Sequence, residues 1–366
     1  MASSNDTAGA VRERLSTFQD PYLGQTLGEA KAIDTVSLQG SVAKVALKFG
    51  FPCADYAAEL APGLEKWLAP ELRGARLELN LRADITAHAV QRTLKPLANV
   101  KNIVAVASGK GGVGKSTTAA NLALAWAAQG ARVGLLDADI YGPSQPQMMG
   151  LAGQTPHSAD GKHISPLRAH DVEVMSIGFL VDAEQPMAWR GPMVTQALTQ
   201  LLGDTEWGSL DYLVVDMPPG TGDIQLTLAQ RVPVSGAIIV TTPQDIALLD
   251  ARKGLKMFEK VEVRVLGIVE NMSVHVCSNC GHVEHVFGSA GGARMAKQYG
   301  VQLLGELPLD VRIREQADGG VPTVVAEPDS ERARAYLRMA RSAAARLATL
   351  NKDYSAMFPK ITVEST

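Results

Sequence analysis

From residue 103 onward the chain alternates two kinds of apolar pattern. Short continuous apolar runs at 103–107, 132–137, 172–177, 212–215, 237–241 and 265–269 read as strands buried on both faces. Between them, 118–129, 191–202 and the segment opening at Thr242-Pro243-Gln244-Asp245 carry helical spacing, with Asp245 or its polar neighbours placed to cap the last. Strands alternating with helices imply right-handed βαβ crossovers, hence an α/β fold with a mainly parallel sheet flanked by helices. A helix over 329–350 closes this unit.

The first part of the chain follows another rhythm. An amphipathic helix is predicted over 11–18, then a turn at Asp20-Pro21-Tyr22-Leu23-Gly24, then strands over 33–38 and 42–49. Residues 55–68 have helical spacing that Pro62 should interrupt. Over 75–81, Leu77, Leu79 and Leu81 alternate with Arg76, Glu78 and Asn80, the pattern of a half-buried strand. The organisation read from these patterns is a small α+β domain (1–85), a partly helical connector (86–102), the α/β domain (103–350) and a tail (351–366).

The first candidate chemistry lies where the 103–107 strand meets the next helix. Gly109, Gly114, Lys115 and Ser116 satisfy G-x-x-x-x-G-K-[ST] within Gly109-Lys110-Gly111-Gly112-Val113-Gly114-Lys115-Ser116-Thr117. A glycine-rich loop opening onto a helix N-terminus presents backbone N–H groups to phosphates, while the lysine neutralises their charge. A nucleotide's phosphates are therefore the expected ligand. Two further strands end in acids: Asp137-Ala138-Asp139 after the second run and Asp216 after the fourth. An acid after an apolar strand is the Walker B arrangement, which holds Mg²⁺ opposite the loop hydroxyl, here Ser116. Helix capping is the simpler alternative for either acid taken singly. Asn271, at the end of the 265–269 strand, offers a donor and an acceptor to an adenine edge, or forms a turn.

Only three cysteines occur in 366 residues, too few for a disulfide framework. Cys277 and Cys280 form a C-x-x-C that interrupts the α/β rhythm, and this supplies half of a four-coordinate site. Three readings stay open: zinc completed by His275, His282 or His285; a thiol redox pair; or an iron–sulfur cluster bridging two chains. Gly281 between Cys280 and His282 excludes a haem-attachment motif. Cys53, just before the predicted 55–68 helix, could have a depressed pKa there, although a buried, inert thiol is the simpler reading.

A net charge of −3 and a pI near 6.2 give no overall basic field for nucleic acid. The sequence has no signal pattern or long apolar run, and the tail lacks a basic amphipathic stripe, so the expectation is a cytoplasmic protein without a membrane or nucleic-acid partner.

Lys110 in K-G-G-V-G-K-[ST] resembles the signature lysine of the deviant Walker A ATPases related to MinD, ParA and nitrogenase iron protein. That resemblance implies a nucleotide-sandwich homodimer in which Lys110 reaches the partner's phosphates. Together with Asp137-Ala138-Asp139-Ile140-Tyr141-Gly142-Pro143-Ser144, Asp216-Met217-Pro218-Pro219-Gly220-Thr221-Gly222-Asp223, Thr242-Pro243-Gln244-Asp245 and Glu270 through Cys280, the loop resembles Mrp/ApbC-type iron–sulfur cluster carrier ATPases over about 103–330. The resemblance implies a slow ATP hydrolase that binds a labile [4Fe–4S] cluster at paired C-x-x-C motifs and passes it from a donor to apo-proteins. It further implies that Lys110, Lys115 and Asp139 are catalytic, that Ser116, Asp137 and Asp216 hold Mg²⁺, and that Asn271 and Pro308, the latter in Leu307-Pro308-Leu309-Asp310, face the adenine. Through its D-P-x-L-G turn the first domain resembles the PaaD-like cluster-assembly domain. The competing expectation is a ParA/MinD-like ATP-dependent dimer switch with a structural zinc at the C-x-x-C.

Overall fold

The computed structural model describes residues 4–180 and 191–352. Most of the expected tail, 353–366, lies outside the described residues.

Three strands form the first sheet: β1 (Ile33–Gln39), β2 (Val42–Phe49) and β3 (Arg76–Ala83). β1 pairs antiparallel to β2, and β2 pairs parallel to β3 through the crossover helix Tyr56–Leu72. That helix is unbroken despite Pro62 and Pro70, contrary to the expected interruption. Tyr56, Leu60, Leu64, Leu68 and Leu72 bury one stripe at four-residue spacing, while both prolines lie on the solvent face. The carbonyls left without an N–H partner there can turn to water, and packing of the apolar stripe outweighs the lost hydrogen bonds.

The second sheet has eight strands: β4 (Val100–Ser108), β5 (Val133–Asp137), β6 (Leu167–Ala169), β7 (Val172–Ser176), β8 (Leu210–Asp216), β9 (Gly236–Thr241), β10 (Val265–Glu270) and β13 (Gln302–Glu306), in the order 13-10-9-4-8-5-7-6. A small ribbon of β11 (His275–Val276) and β12 (Val283–Glu284) stands apart. All pairings in the large sheet are parallel except β6 with β7. That edge hairpin turns on His170 and Asp171, both in the left-handed region (φ 51° and 64°), the geometry of a two-residue primed turn made here without glycine.

Trp126, on the helix Lys115–Ala128, is fully buried, stacks on Tyr212 of β8 at 4.4 Å, and donates to the Ala340 carbonyl of the closing helix Glu331–Ala348. The helix that follows the phosphate loop is thus clamped between the sheet and the closing helix. Ser330 caps that last helix by accepting from Ala333 N.

The first sheet docks on the closing helix through Arg341. This side chain is 2% exposed, and its guanidinium meets Asp55 Oδ2 at 2.7 Å and Glu59 Oε2 at 2.6 Å. It also lies 5.1 Å from the Tyr22 ring and 4.8 Å from the Tyr56 ring. Cys53 sits 2% exposed nearby, and burial with the adjacent Asp55 charge pushes its thiol up to about 11, which matches the buried, inert reading and not a thiol activated at a helix start.

The connector contains no helix, which corrects the partly helical expectation. Its polar groups are satisfied tertiarily instead: Gln91 Nε2 donates to the Ala229 and Val232 carbonyls, its Oε1 accepts from Val234 N, and His88 N donates to Asn102 Oδ1.

Candidate functional site

Parallel strands all deliver their carboxyl ends to one edge of the sheet, so residues distant in sequence meet there. β4 ends at Ser108 and opens into the loop, which becomes the helix Lys115–Ala128. Register then fixes the acids: Val106 pairs with Asp216, and Asp216 pairs with Asp137. The convergence expected of three strand ends is built into this ladder.

Two loop glycines are required by space. A Cβ on Gly109 would lie 2.1 Å from the carbonyl carbon of Asp250, on the helix Asp245–Lys260. One on Gly114, where φ is 81°, would lie 2.1 Å from Asn271 Nδ2. Asp245 begins the first turn of its helix, and Gln244 occupies the cap position without a side-chain hydrogen bond, so the expected Asp245 cap is not formed.

Lys115 is 6% exposed, and its Nζ donates to Asp216 Oδ1 (2.5 Å) and Ser116 Oγ (3.1 Å), with Asp139 Oδ2 at 3.8 Å. The strand-end acids neutralise this lysine. Asp137 is fully buried; its Oδ1 accepts from Asp139 N (3.1 Å), and its Oδ2 accepts from Gln145 N (3.1 Å) and Ser176 Oγ (3.2 Å). Burial and the neighbouring Asp216 push its carboxyl up to about 7, although Lys115 and these hydrogen bonds act the other way. Burial also raises Asp139, against Lys115. Two paired carboxylates, Asp137 and Asp216, with the Ser116 hydroxyl beside Lys115, offer oxygen donors of the kind a hard divalent cation takes.

Lys110 is exposed at the loop tip, forms no ion pair among the described residues, and its carbonyl accepts from Ser108 Oγ. Asn271 is 7% exposed and donates its amide to the Val113 carbonyl at 2.9 Å, so it braces the phosphate loop. Met272 follows with φ 57°, a strained turn that leads the chain out of β10 toward the ribbon. Pro308 lies beside this exit: Ser273 Oγ donates to the Leu307 carbonyl, and Leu309 N donates to the Val274 carbonyl. Asp310 also caps the helix Val311–Asp318, the ordinary strand-to-helix role for that turn.

The C-x-x-C forms a tight knuckle between β11 and β12. Cys277 N donates to the His282 carbonyl, Gly281 N donates to the Cys277 carbonyl, and Gly281 takes φ 72° to close the turn. Both thiols are free, Cys277 half-buried and Cys280 exposed. The Cys280 and Asn279 N–H groups aim at the Cys277 sulfur and lower its pKa, the direction that favours a thiolate ligand. His275 and His285 each place Nδ1 3.0 Å from a backbone carbonyl, of Leu309 and Ser273. Among the described residues no three His, Cys, Asp or Glu side chains are grouped to hold a metal. One chain therefore brings two thiols together on this ribbon. Val276, Val283 and Val286 around it are about half exposed.

Pattern reading missed one residue at the centre. Gln145 is fully buried and donates Nε2 to the Ser116 carbonyl (3.0 Å) and to Asp216 Oδ2 (2.9 Å). No spacing rule points to a glutamine in Ser144-Gln145-Pro146; only its reach across two strand ends marks it.

A glycine loop on a helix N-terminus, with a lysine, a hydroxyl and two strand-end acids around it, defines a P-loop NTPase. The chain belongs to the NUBPL iron-transfer P-loop NTPase family, whose model matches residues 99–344, and residues 9–76 match the iron–sulfur cluster assembly protein family. It is 64% identical over 267 residues to the iron–sulfur cluster carrier protein of Pseudomonas fragi, covering 73% of this chain and 92% of the relative. To the protein of the same description from Escherichia coli K12 it is 51% identical over 337 residues, covering 92% and 91%. The nucleotide-binding protein of Archaeoglobus fulgidus in complex with ADP superposes with a TM-score of 0.56 at 38% identity, over 64% of this chain and 90% of that one.

Proposed function

We propose that this protein is an ATP-hydrolysing iron–sulfur cluster carrier whose cargo, a [4Fe–4S] cluster, is held between two copies of the chain by paired Cys277 and Cys280. The observation that carries this reading is the half-site itself. Two free thiols, one of them with its anionic form favoured by backbone N–H groups, sit on a ribbon that leaves the sheet beside Asn271, the residue bracing the phosphate loop. A symmetric partner would supply the two missing thiolates. The carrier descriptions of the relatives support the same cargo.

In this reading the loop from Gly109 to Thr117 cradles the ATP phosphates, and Lys115 moves from Asp216 onto them. Ser116, Asp137 and Asp216 would hold Mg²⁺, which when bound screens phosphate charge. Asp139 positions the attacking water. Lys110, exposed and unpaired among the described residues, reaches the nucleotide of the partner subunit. Asn271 and Pro308 lie toward the adenine. The clients are apo-proteins that need a cluster, a separate donor loads the carrier, and cytoplasmic work without membrane or nucleic acid completes the reading. Among the described residues no helix is long and apolar enough to cross a membrane.

The test is anaerobic reconstitution with ferrous iron and sulfide, followed through the thiolate-to-iron absorption, and then transfer to an apo-protein. Wild type should gain the absorption and pass it on, and the Cys277→Ser, Cys280→Ser double variant should do neither. Retention of the same absorption by the double variant would place the cluster elsewhere.

A further inference from the structure

Gln145 has more contacts to the cation-side groups than any role in packing requires. Its backbone N–H donates to Asp137 Oδ2, while its Nε2 donates to Asp216 Oδ2 and to the carbonyl of Ser116. Both partners of Nε2 are pure acceptors, so the orientation of the amide is set by chemistry: nitrogen toward them, oxygen away. That oxygen, Oε1, is buried and has no donor among the described residues, although the side chain as a whole is 0% exposed.

We propose that Gln145 is a positioning residue for the divalent cation that accompanies ATP: its amide nitrogen fixes the Asp216 carboxylate against the loop, and its backbone N–H fixes the Asp137 carboxylate. The proposal rests on Ser116, Asp137 and Asp216 being the cation-holding groups. Three physical consequences follow. Asp216 is oriented through Oδ2 even after Lys115 leaves Oδ1 for a phosphate, so the acid does not swing away when its salt bridge breaks. Ser116 is tied to Asp216 through its own carbonyl. Asp137 is tied by the backbone of the same residue, so one side chain and one N–H register both acids and the Ser116 backbone to each other. Outer partners of this kind typically change metal affinity ten- to a hundredfold when removed.

The experiment measures binding of a fluorescent ATP analogue to the full-length protein during a Mg²⁺ titration, and again in EDTA, with far-UV circular dichroism as the check on folding. Gln145→Met keeps length and apolar volume but removes both polar ends. It should raise the Mg²⁺ concentration for half-maximal binding roughly tenfold while leaving binding in EDTA at the wild-type level. Gln145→Asn, which keeps an amide too short to span Ser116 and Asp216, should shift the midpoint in the same direction, and it carries the test if the methionine variant does not fold. A purely structural glutamine would leave the midpoint at the wild-type value in every folded variant, which would overturn the proposal. If wild-type binding is itself indifferent to Mg²⁺, the assignment of the acids fails and the inference falls with it. A Mg²⁺-dependent wild type matched by Gln145→Met overturns the inference alone.

Discussion

Replacing Arg341 by methionine should loosen the first sheet from the rest of the molecule. Methionine retains the unbranched stem and strong helix propensity within Glu331–Ala348, so the perturbation is confined to the guanidinium. That group gives up Asp55 at 2.7 Å, Glu59 at 2.6 Å, the Tyr22 hydroxyl at 3.2 Å, and two aromatic faces. Breaking a fully buried ion pair costs about 3–5 kcal/mol because the surviving charge is stranded. Here the survivors are not stranded: the Asp55 side chain is 38% exposed and that of Glu59 46%, so water recovers much of their solvation. That lowers the ion-pair loss to about 2 kcal/mol, and the two ring contacts add about 1 kcal/mol. A docking loss of about 3 kcal/mol raises the undocked population about a hundredfold. Undocking releases the turn before Tyr56, where Asp55 leaves Arg341 and the Ala54 N–H leaves the Gln129 carbonyl, and residues 50–55 have no helix or strand to protect them. Limited proteolysis under conditions where reclosing is fast reads that population directly. Cleavage between residues 50 and 55 should accelerate about a hundredfold, with ATP turnover unchanged. Cleavage at the wild-type rate would refute the latch, and simultaneous loss of ATP binding would show that the first sheet cannot separate from the nucleotide domain.

Two further predictions concern the site. Lys110→Ala should lower the rate of ATP hydrolysis roughly a hundredfold, as loss of a charge-stabilising donor does, while changing ATP affinity by less than about threefold; an unaffected turnover would remove Lys110 from the reaction. The pH dependence of ligand-free stability should carry the mark of Asp137. Its folded pKa is raised from an ordinary carboxylate value to about 7, so the protonated form stabilises the fold fully below the unfolded pKa, and that contribution is lost as pH rises toward 7. Asp137→Asn should flatten the fall in melting temperature between about pH 4 and pH 7, and an identical slope in wild type and variant would contradict the assignment.

What could be read from the sequence followed from how local the determining physics was. The phosphate loop, the buried strands and the strand-end acids were legible because parallel strands buried on both faces are continuously apolar, and because a phosphate cradle needs glycines, a lysine and a hydroxyl at fixed spacing. β6 escaped because its turn uses His170 and Asp171 in left-handed conformations without a glycine to announce it. β13 and the helix before it were hidden by short, mixed segments after the cysteine ribbon. Pro62 misled because a solvent-facing proline costs less than the stripe from Tyr56 to Leu72 gains. The connector looked helical in isolation, yet Gln91 and His88 satisfy it through partners far away in sequence. Gln145 and Arg341 were invisible for the same reason: each acts across elements that only the folded chain brings together. The cysteines were legible as a pair that supplies half of a four-coordinate set, and the folded chain adds how the ribbon of β11 and β12 holds them.

The central claim is that this half-site is completed by a second copy of the chain. Native mass spectrometry of the anaerobically reconstituted protein tests it most directly, because it counts chains and cluster mass in one species. The account predicts a dimer carrying one [4Fe–4S] cluster, with dimer and cluster mass lost together in the Cys277→Ser, Cys280→Ser variant. A cluster or zinc ion retained on the single chain would contradict it.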